Sequence, residues 1–358
     1  MPNDAAVQIP PTTDAAGATR PLRVLSLDGG GIRGVIPATL LGEIEKRTGK
    51  RIAETFDLIA GTSTGGILAL GLTTPDPNDA SKPRYRAEEF VGMYEEKGSA
   101  IFGNSLGHRL LTLFGLFGSK YAVRGLEETL RTYFGDSRLK DAVAEVLITS
   151  YDLEQRDSWF LARHKAREDS AANDFPMAQV ARATSAAPTY FRPERLSVDP
   201  PTALVDGGVH SNNPAMCAWV ETVKLHGQKD IVLVSLGTGG VKTPISYAKA
   251  RAWGLIGWVR PLIGIFMDSV AATVEHELSW LLTPKDGGQR YFRFQAALPP
   301  GMGSMDDVSS EHIAALKQQA RLIIDNNKSE FDDLCTLLTD SRPLPPDRPA
   351  VPAAVATN

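Results

Sequence analysis

Two stretches decide how this chain folds: Leu22–Gly34, LRVLSLDGGGIRG, and Phe56–Gly66, FDLIAGTSTGG. Each is a short apolar run that stops at a glycine turn. Past the first turn, Ile36, Leu40, Leu41 and Ile44 fall at helical spacing, and Pro37 sits early enough in that helix to be tolerated. Past the second, Ile67 to Leu72 resume helically. Strand, glycine turn and helix therefore follow one another twice in close succession. This alternation predicts parallel strands joined by crossover helices, an α/β architecture with its site at the carboxyl ends of the strands.

Farther along, Glu145–Ser150 (EVLITS), Thr202–Val205 and Ile231–Leu236 (IVLVSL) read as strands, the last running into Gly237-Thr238-Gly239. Ser309–Ile324 and Glu330–Leu338 have helical spacing, and residues 73–140 read as mostly helical with loops. Residues 1–21 hold no apolar run of signal-peptide length, and 341–358 are rich in proline. Both ends are expected to be disordered tails flanking one domain, 22–340.

With 42% hydrophobic and 22% charged residues in a chain of 358, a sizeable core is available and bulk disorder is excluded. The net charge of −4 offers no basic face for a nucleic-acid polymer. Cys217 and Cys335 fall in no CxxC or Cys/His spacing, so neither a disulfide framework nor a cysteine metal site is expected, and a reduced, cytoplasmic setting is. No run reaches the roughly 18 apolar residues of a membrane span. The nearest, Ala252–Thr273, is interrupted by Arg260 and Pro261.

The chemistry concentrates at the turns. Gly29, Gly31 and Gly34 satisfy GxGxxG after a strand and before a helix, the pattern of a dinucleotide site. Asp28 argues against that reading, because it would set a carboxylate beside a pyrophosphate. Asp57 also lies near the start of the second strand rather than at its end. The second turn, Gly61-Thr62-Ser63-Thr64-Gly65, is a GxSxG on a strand-to-helix corner. Such a corner projects a serine hydroxyl from the top of the sheet, with the positive end of the next helix behind it. Its bland alternative is a plain glycine turn with a capping Ser or Thr. A serine nucleophile needs oxyanion donors and a base. The amides of Gly29, Gly30 and Gly31 form a natural anion nest, and Arg33 either adds charge there or pairs with a nearby carboxylate. Asp206, in the run LVDGGVHSNNP (Leu204–Pro214), brings a carboxylate to the same sheet edge, although Asp-Gly-Gly is also an ordinary turn former. His210, His226, His276 and His312 follow Asp206, as a Ser-His-Asp triad would require, but none sits in a glycine-rich loop at a strand end, and histidine is left out of the site.

Taken in order, DGGGIRG (Asp28–Gly34), GTSTG (Gly61–Gly65) and DGG (Asp206–Gly208) resemble the patatin-like phospholipase family. ATSAAPTYF (Ala183–Phe191), VDGGVHSNNPA (Val205–Ala215) and SLGTG (Ser235–Gly239) extend the likeness, which runs from about Leu22 to Gly240. The resemblance implies a three-layer α/β/α fold with a mainly parallel central sheet. It implies a Ser–Asp dyad with Ser63 as nucleophile and Asp206 as base, and an oxyanion hole of Gly29, Gly30 and Gly31 with Arg33 nearby. It further implies hydrolysis of ester-linked fatty acids from membrane phospholipids and related acyl lipids, with no metal and no cofactor. Every motif position is filled as the family would have it.

A lipid substrate calls for a surface that meets a membrane peripherally. Trp253, Trp258 and Trp280, with Arg260 beside them, are one candidate and Ile101–Gly118 another; for both, a core helix or a lid is the plainer account. The chain is also similar to bacterial effector phospholipases that a cyclic dinucleotide activates during phage infection. Lys82, Arg84 and Arg86 could hold such an anion or simply form a solvated face. The rival readings are a dinucleotide-binding oxidoreductase and a non-catalytic storage or interaction protein. Homo-oligomer formation stays open.

Overall fold

The computed structural model describes residues 20–102, 120–121, 123–196, 198, 201–227, 230–241, 244–283 and 288–341. The expected tails lie outside these residues except for Arg20, Pro21 and Ser341, as does Ile101–Gly118 beyond its first two positions. Eight strands form one sheet: β1 (Leu22–Leu27), β2 (Leu58–Thr62), β3 (Glu145–Asp152), β4 (Asp157–Ala162), β5 (Glu194–Leu196), β6 (Thr202–Asp206), β7 (Ile231–Leu236) and β8 (Tyr291–Phe294). Their order is β5-β6-β3-β2-β1-β7-β8, with β4 also paired to β3. The β2-β1-β7-β8 block and the β2–β3 pair are parallel, whereas β3–β4, β3–β6 and β5–β6 are antiparallel.

Among the described residues, the helices of eight or more residues are α1 (Val35–Thr48), α2 (Thr64–Thr73), α3 (Ala87–Phe102), α4 (Val123–Phe134), α5 (Met177–Thr184), α6 (Ala215–His226), α7 (Leu255–Leu281), α8 (Ser310–Asn326) and α9 (Lys328–Thr339). The central strands are apolar on both faces, so alternate residues feed two separate cores. Leu25, Leu27, Ile59, Ile148 and Val234 pack with the helices of one layer. Leu22, Val24, Leu58, Leu147 and Leu233 pack against Ala215 and Ala218 of α6 and Val274 and Leu278 of α7. The result is the expected three-layer α/β/α sandwich, with a second layer carried mainly by α6 and α7.

Two packing details fasten the first and last described segments to the sheet. The buried Arg23 guanidinium donates to the carbonyls of Leu337 (2.6 Å) and Asp340 (2.7 Å) and so fastens the end of α9 to β1. Arg20 grips the Asp57 carboxylate with two bonds of 2.7 Å.

The antiparallel part of the sheet places the site. β4 occupies one side of β3 along Leu147–Asp152. On the other side, Thr62 of β2 pairs with Thr149, and Asp206 of β6 pairs with Ser150. β2 runs parallel to β3 and β6 antiparallel to it, so their carboxyl ends meet head to head on consecutive residues. The sequence pattern missed β4, β5 and β8. β5 has three residues and β8 four, too short for a period to show, and β4 opens on exposed polar positions.

The apolar run that Arg260 and Pro261 interrupt in the sequence is continuous as a helix. Helix α7 passes straight through both for 27 residues. An interior proline costs one ladder bond, and the later turns of α7 are anchored in the second core by Val274 and Leu278.

The layers beneath β3 and α6 are joined through His164, whose Nδ1 lies 3.0 Å from Glu145 and Nε2 3.0 Å from Glu221. Burial opposes its charge, but the two carboxylates overcome this and lift its pKa from 6.5 to about 9. A pKa raised on folding contributes stability that is complete below the unfolded value and lost as pH rises through the folded one. The melting temperature should therefore fall between about pH 6.5 and 9. A His164→Gln variant should lose that slope and melt lower at the acidic end, as differential scanning fluorimetry across pH would read.

Candidate active site

Ser63 occupies the corner between β2 and α2 with φ 55° and ψ −123°, a conformation that L side chains avoid. The neighbouring glycines make the corner possible. A methyl group on Gly65 would collide with the Leu27 carbonyl, and one on Gly61 with the carbonyl of Gly65. Hydrogen bonds then lock it. The Ser63 N–H donates to Thr184 Oγ1 (2.9 Å), which itself donates to the Thr149 carbonyl (2.7 Å). Thr62 Oγ1 donates to the Ser211 carbonyl (2.6 Å) and lies 2.7 Å from Thr149 Oγ1. Thr149, on the strand where β2 and β6 meet, is the hub. Helix α2 is buried along its length, and its positive end lies at Ser63.

Asp206 is 5% exposed; its carboxylate accepts the Gly208 N–H (2.7 Å) and lies beside the Ser63 side chain. Burial raises its pKa from 3.8 to about 6, with Ser63 and the Gly208 amide offsetting part of that rise. The structure brings together the two residues foreseen from the motifs.

The glycine turn divides into parts. Gly29 faces Ser63 closely enough that a Cβ on it would sit 3.2 Å from the serine Cβ. Its N–H, however, is already donated to the Asn212 carbonyl (3.0 Å), and its carbonyl accepts from Thr238 Oγ1 (2.7 Å). Arg33 is buried and spends its guanidinium on the carbonyls of Gly239 (2.8 Å) and Gly30 (3.3 Å). These two expected oxyanion contributors therefore brace the turn instead of facing its opening. Among the described residues Arg33 is also not in a salt bridge with a carboxylate. The amides of Gly30 and Gly31 have no protein acceptor among the described residues, which leaves them as the donors available to a ligand.

Asp28, read from sequence as hostile to a pyrophosphate, is buried and held by both terminal nitrogens of Arg293 at 3.0 and 2.6 Å. Nothing in YFRF flagged Arg293, because only the β7–β8 pairing brings it to this edge. Thr149, Thr184 and Thr238 were likewise silent, although Thr184 lies in the ATSAAPTYF run.

Among the described residues, His164, His210 and His312 have no hydrogen bond to Ser63 or Asp206. The His210 ring lies 6.1 Å from Tyr151 and 6.0 Å from Phe160, its nitrogens are buried without partners, and burial lowers its pKa. His164 belongs to the Glu145–Glu221 cluster, and His312 lies 4.0 Å from Asp307. In the basic cluster, Lys82 pairs with Asp79 and Arg84 stacks over Tyr85, an ordinary surface arrangement. Among the described residues no group of three or more His, Cys, Asp or Glu is placed to hold a metal ion, and no helix is long and apolar enough to cross a membrane.

Comparison with known proteins agrees with this geometry. The family model described as patatin-like phospholipase matches residues 25–219. "Patatin-like protein 2" of Oryza sativa subsp. indica is 32% identical over 347 residues, spanning 86% of this chain and 85% of its own. "Probable inactive patatin-3-Kuras 1" of Solanum tuberosum is 30% identical over 353 residues, spanning 89% and 91%. "Patatin-like protein 4" of Arabidopsis thaliana is 29% identical over 337 residues, spanning 85% and 83%. With the match extending through the glycine turn, the GxSxG corner and the Asp-Gly-Gly strand end, the chain belongs to the patatin-like phospholipase family, a family of lipid acyl hydrolases.

Proposed function

We propose that the protein is a serine lipid acyl hydrolase of phospholipase A type, with Ser63 as nucleophile and Asp206 as base. The observation that carries this is the strained Ser63 held against a buried carboxylate whose pKa is lifted to about 6. A relative described as inactive shows that family membership alone does not decide activity; the reading rests on these residues.

The chemistry follows from the contacts. As Ser63 Oγ attacks the ester carbonyl carbon, its proton passes to the Asp206 carboxylate and the carbonyl π electrons move onto oxygen. That oxyanion is stabilised by the free amides of Gly30 and Gly31 and by the positive end of α2. Collapse breaks the bond to the leaving alkoxide, which takes the proton from Asp206 and leaves an acyl-serine. Water then attacks the acyl-serine, gives its proton to Asp206 and releases the fatty acid as Ser63 regains a proton. A carboxylate near pH 6 is a far better match for this relay at neutral pH than one near 4.

The substrate has to leave a bilayer, and α7 offers a surface for that meeting. Trp258, Leu262, Ile265 and Phe266 follow at helical spacing and are exposed, Phe266 to 56%; farther along, Trp280 is exposed to 78%. Met267, on the same helix, approaches Gly208 beside Asp206, so the stripe borders the proposed site. Apolar and tryptophan side chains of this kind insert at the headgroup boundary. Trp253, by contrast, packs edge-on against Trp258 at 5.1 Å.

Fatty-acid release from mixed phospholipid vesicles tests the assignment. Ser63→Ala and Asp206→Asn should each lose nearly all turnover while staying folded; turnover retained in Ser63→Ala would overturn it. Running the assay with and without a panel of cyclic dinucleotides separates a constitutive enzyme from a gated one.

For the wild type, kcat/KM should fall as pH drops through about 6, because the base must be ionised. A raised carboxylate pKa means stability present below pH 3.8 and lost as pH rises through about 6, on the order of 3 kcal/mol in full. Asp206→Asn, free of that cost, should melt above the wild type at pH 8, the gap narrowing below pH 4.

Sedimentation with vesicles should weaken for a Phe266→Ala/Trp280→Ala variant whose hydrolysis of a soluble short-chain ester is unchanged. Equal sedimentation would remove α7 from the membrane contact.

A further inference from the structure

The two asparagines that follow the Asp-Gly-Gly turn are used differently. Asn213 is fully buried, and its Oδ1 accepts from the Ala215 N–H (3.1 Å) and approaches Ser235 Oγ (3.3 Å) and Ser26 Oγ (3.5 Å), which joins the start of α6 to β1 and β7. Asn212 has no such duty for its side chain. Its Oδ1 is buried and has no hydrogen-bond partner. That oxygen lies 2.6 Å from where a Cβ on Gly29 would stand and 3.4 Å from the same point on Gly208. Those two points are in turn 3.2 Å from Ser63 Cβ and 3.0 Å from Asp206 Oδ1. The Asn212 carboxamide therefore sits between the glycine that faces the serine and the glycine that follows the aspartate.

Its backbone is fastened at the same place. The Asn212 carbonyl takes the Gly29 N–H, and the preceding carbonyl, of Ser211, takes the Thr62 hydroxyl beside Ser63. The carboxamide is thus held relative to Ser63 by the bonds that build the corner itself. A buried amide oxygen left unpaired is costly, and among the described residues no hydrogen bond holds the carboxamide in this orientation rather than the flipped one. The Asn212 carbonyl also takes the Gly29 amide out of the oxyanion hole, so an uncharged donor at this position would restore the lost contact. The terminal torsion of asparagine is broad and close to two-fold, so a half-turn presents NH2 where Oδ1 now lies.

We propose that Asn212 is a further catalytic residue, its carboxamide NH2 donating a hydrogen bond to the oxyanion that forms on the substrate ester at Ser63. This rests on the hydrolase reading above. Charge develops on that oxygen only as Ser63 attacks, so the bond strengthens toward the transition state and acts on kcat more than on KM.

The test is steady-state hydrolysis of phospholipid vesicles and of a soluble short-chain ester by wild type, Ser63→Ala, Asn212→Ala, Asn212→Asp and Asn213→Ala, with melting temperatures measured in parallel. Ser63→Ala reports on the hydrolase reading itself; if it retains activity, that reading fails whatever Asn212 does. With Ser63 essential, Asn212→Ala should lower kcat by about a hundredfold, as loss of one oxyanion donor does. KM and melting temperature should stay near those of the wild type. Asn212→Asp keeps the shape but presents no donor and adds a negative charge, so it should fall at least as far and shift the acid limb of the pH profile upward. Asn213→Ala should instead melt lower. A kcat within about threefold of wild type in Asn212→Ala, or an Asn212→Asp enzyme as active as wild type, would overturn the proposal. So would a loss of activity in Asn212→Ala that tracks a fall in melting temperature and is matched by Asn213→Ala.

Discussion

The candidate active site depends on how two strands end on a third. β2 and β6 approach along the same side of β3 from opposite directions and stop on Thr149 and Ser150. Parallel strands alone would leave the serine and the aspartate at the ends of separate strands, a sheet spacing or more apart. Head-to-head pairing removes that gap. It also explains why a single threonine can serve both partners. Thr149 takes the Thr184 hydroxyl on its carbonyl and meets the Thr62 hydroxyl with its own, and it crowds Gly207 so closely that no side chain fits there.

The site stores unfavourable features that the rest of the fold has to outweigh. Ser63 is in a strained backbone conformation, Asp206 is a carboxylate kept from water, and the Gly30 and Gly31 amides lack protein partners. Each would be removed by an ordinary stabilising substitution, and such features gather where a fold is built for function. Opposing them are a two-sided core and buried polar anchors. Arg293 clamps Asp28 under the glycine turn, Arg33 ties that turn to Gly239, and Arg23 secures the last helix to β1. The three arginines carry charge but act as braces.

The two helical layers are unequal. One is many helices deep, while the other leans on α6 and α7. A helix so long, in so thin a layer, buries only one side, and Trp258, Leu262, Ile265, Phe266 and Trp280 are left facing solvent. The stripe that begins at Trp258 is the exposed remainder, beside the strand end that carries Asp206.

Much of the site was legible before folding because its chemistry needs residue types that sequence displays directly. Glycines mark where backbones approach closely, GxSxG marks the corner, and an aspartate ahead of two glycines marks a strand end. The parallel strands were equally plain, since burial on both faces writes them as unbroken apolar runs. What the pattern could not carry was relation across distance. The antiparallel arrival of β6 and the strands β4, β5 and β8 came only with pairing, because the three or four residues of β5 and β8 show no period and β4 opens on exposed polar positions. The parts of Gly29 and Arg33 were decided the same way. An amide or a guanidinium looks free in a sequence until the fold brings a carbonyl to it, here those of Asn212, Gly30 and Gly239. The sequence by itself determined which groups would stand at the sheet edge. Tertiary structure decided which of them stay unpaired at that edge and which hold the others still, because a hydrogen bond is spent on the nearest partner in space.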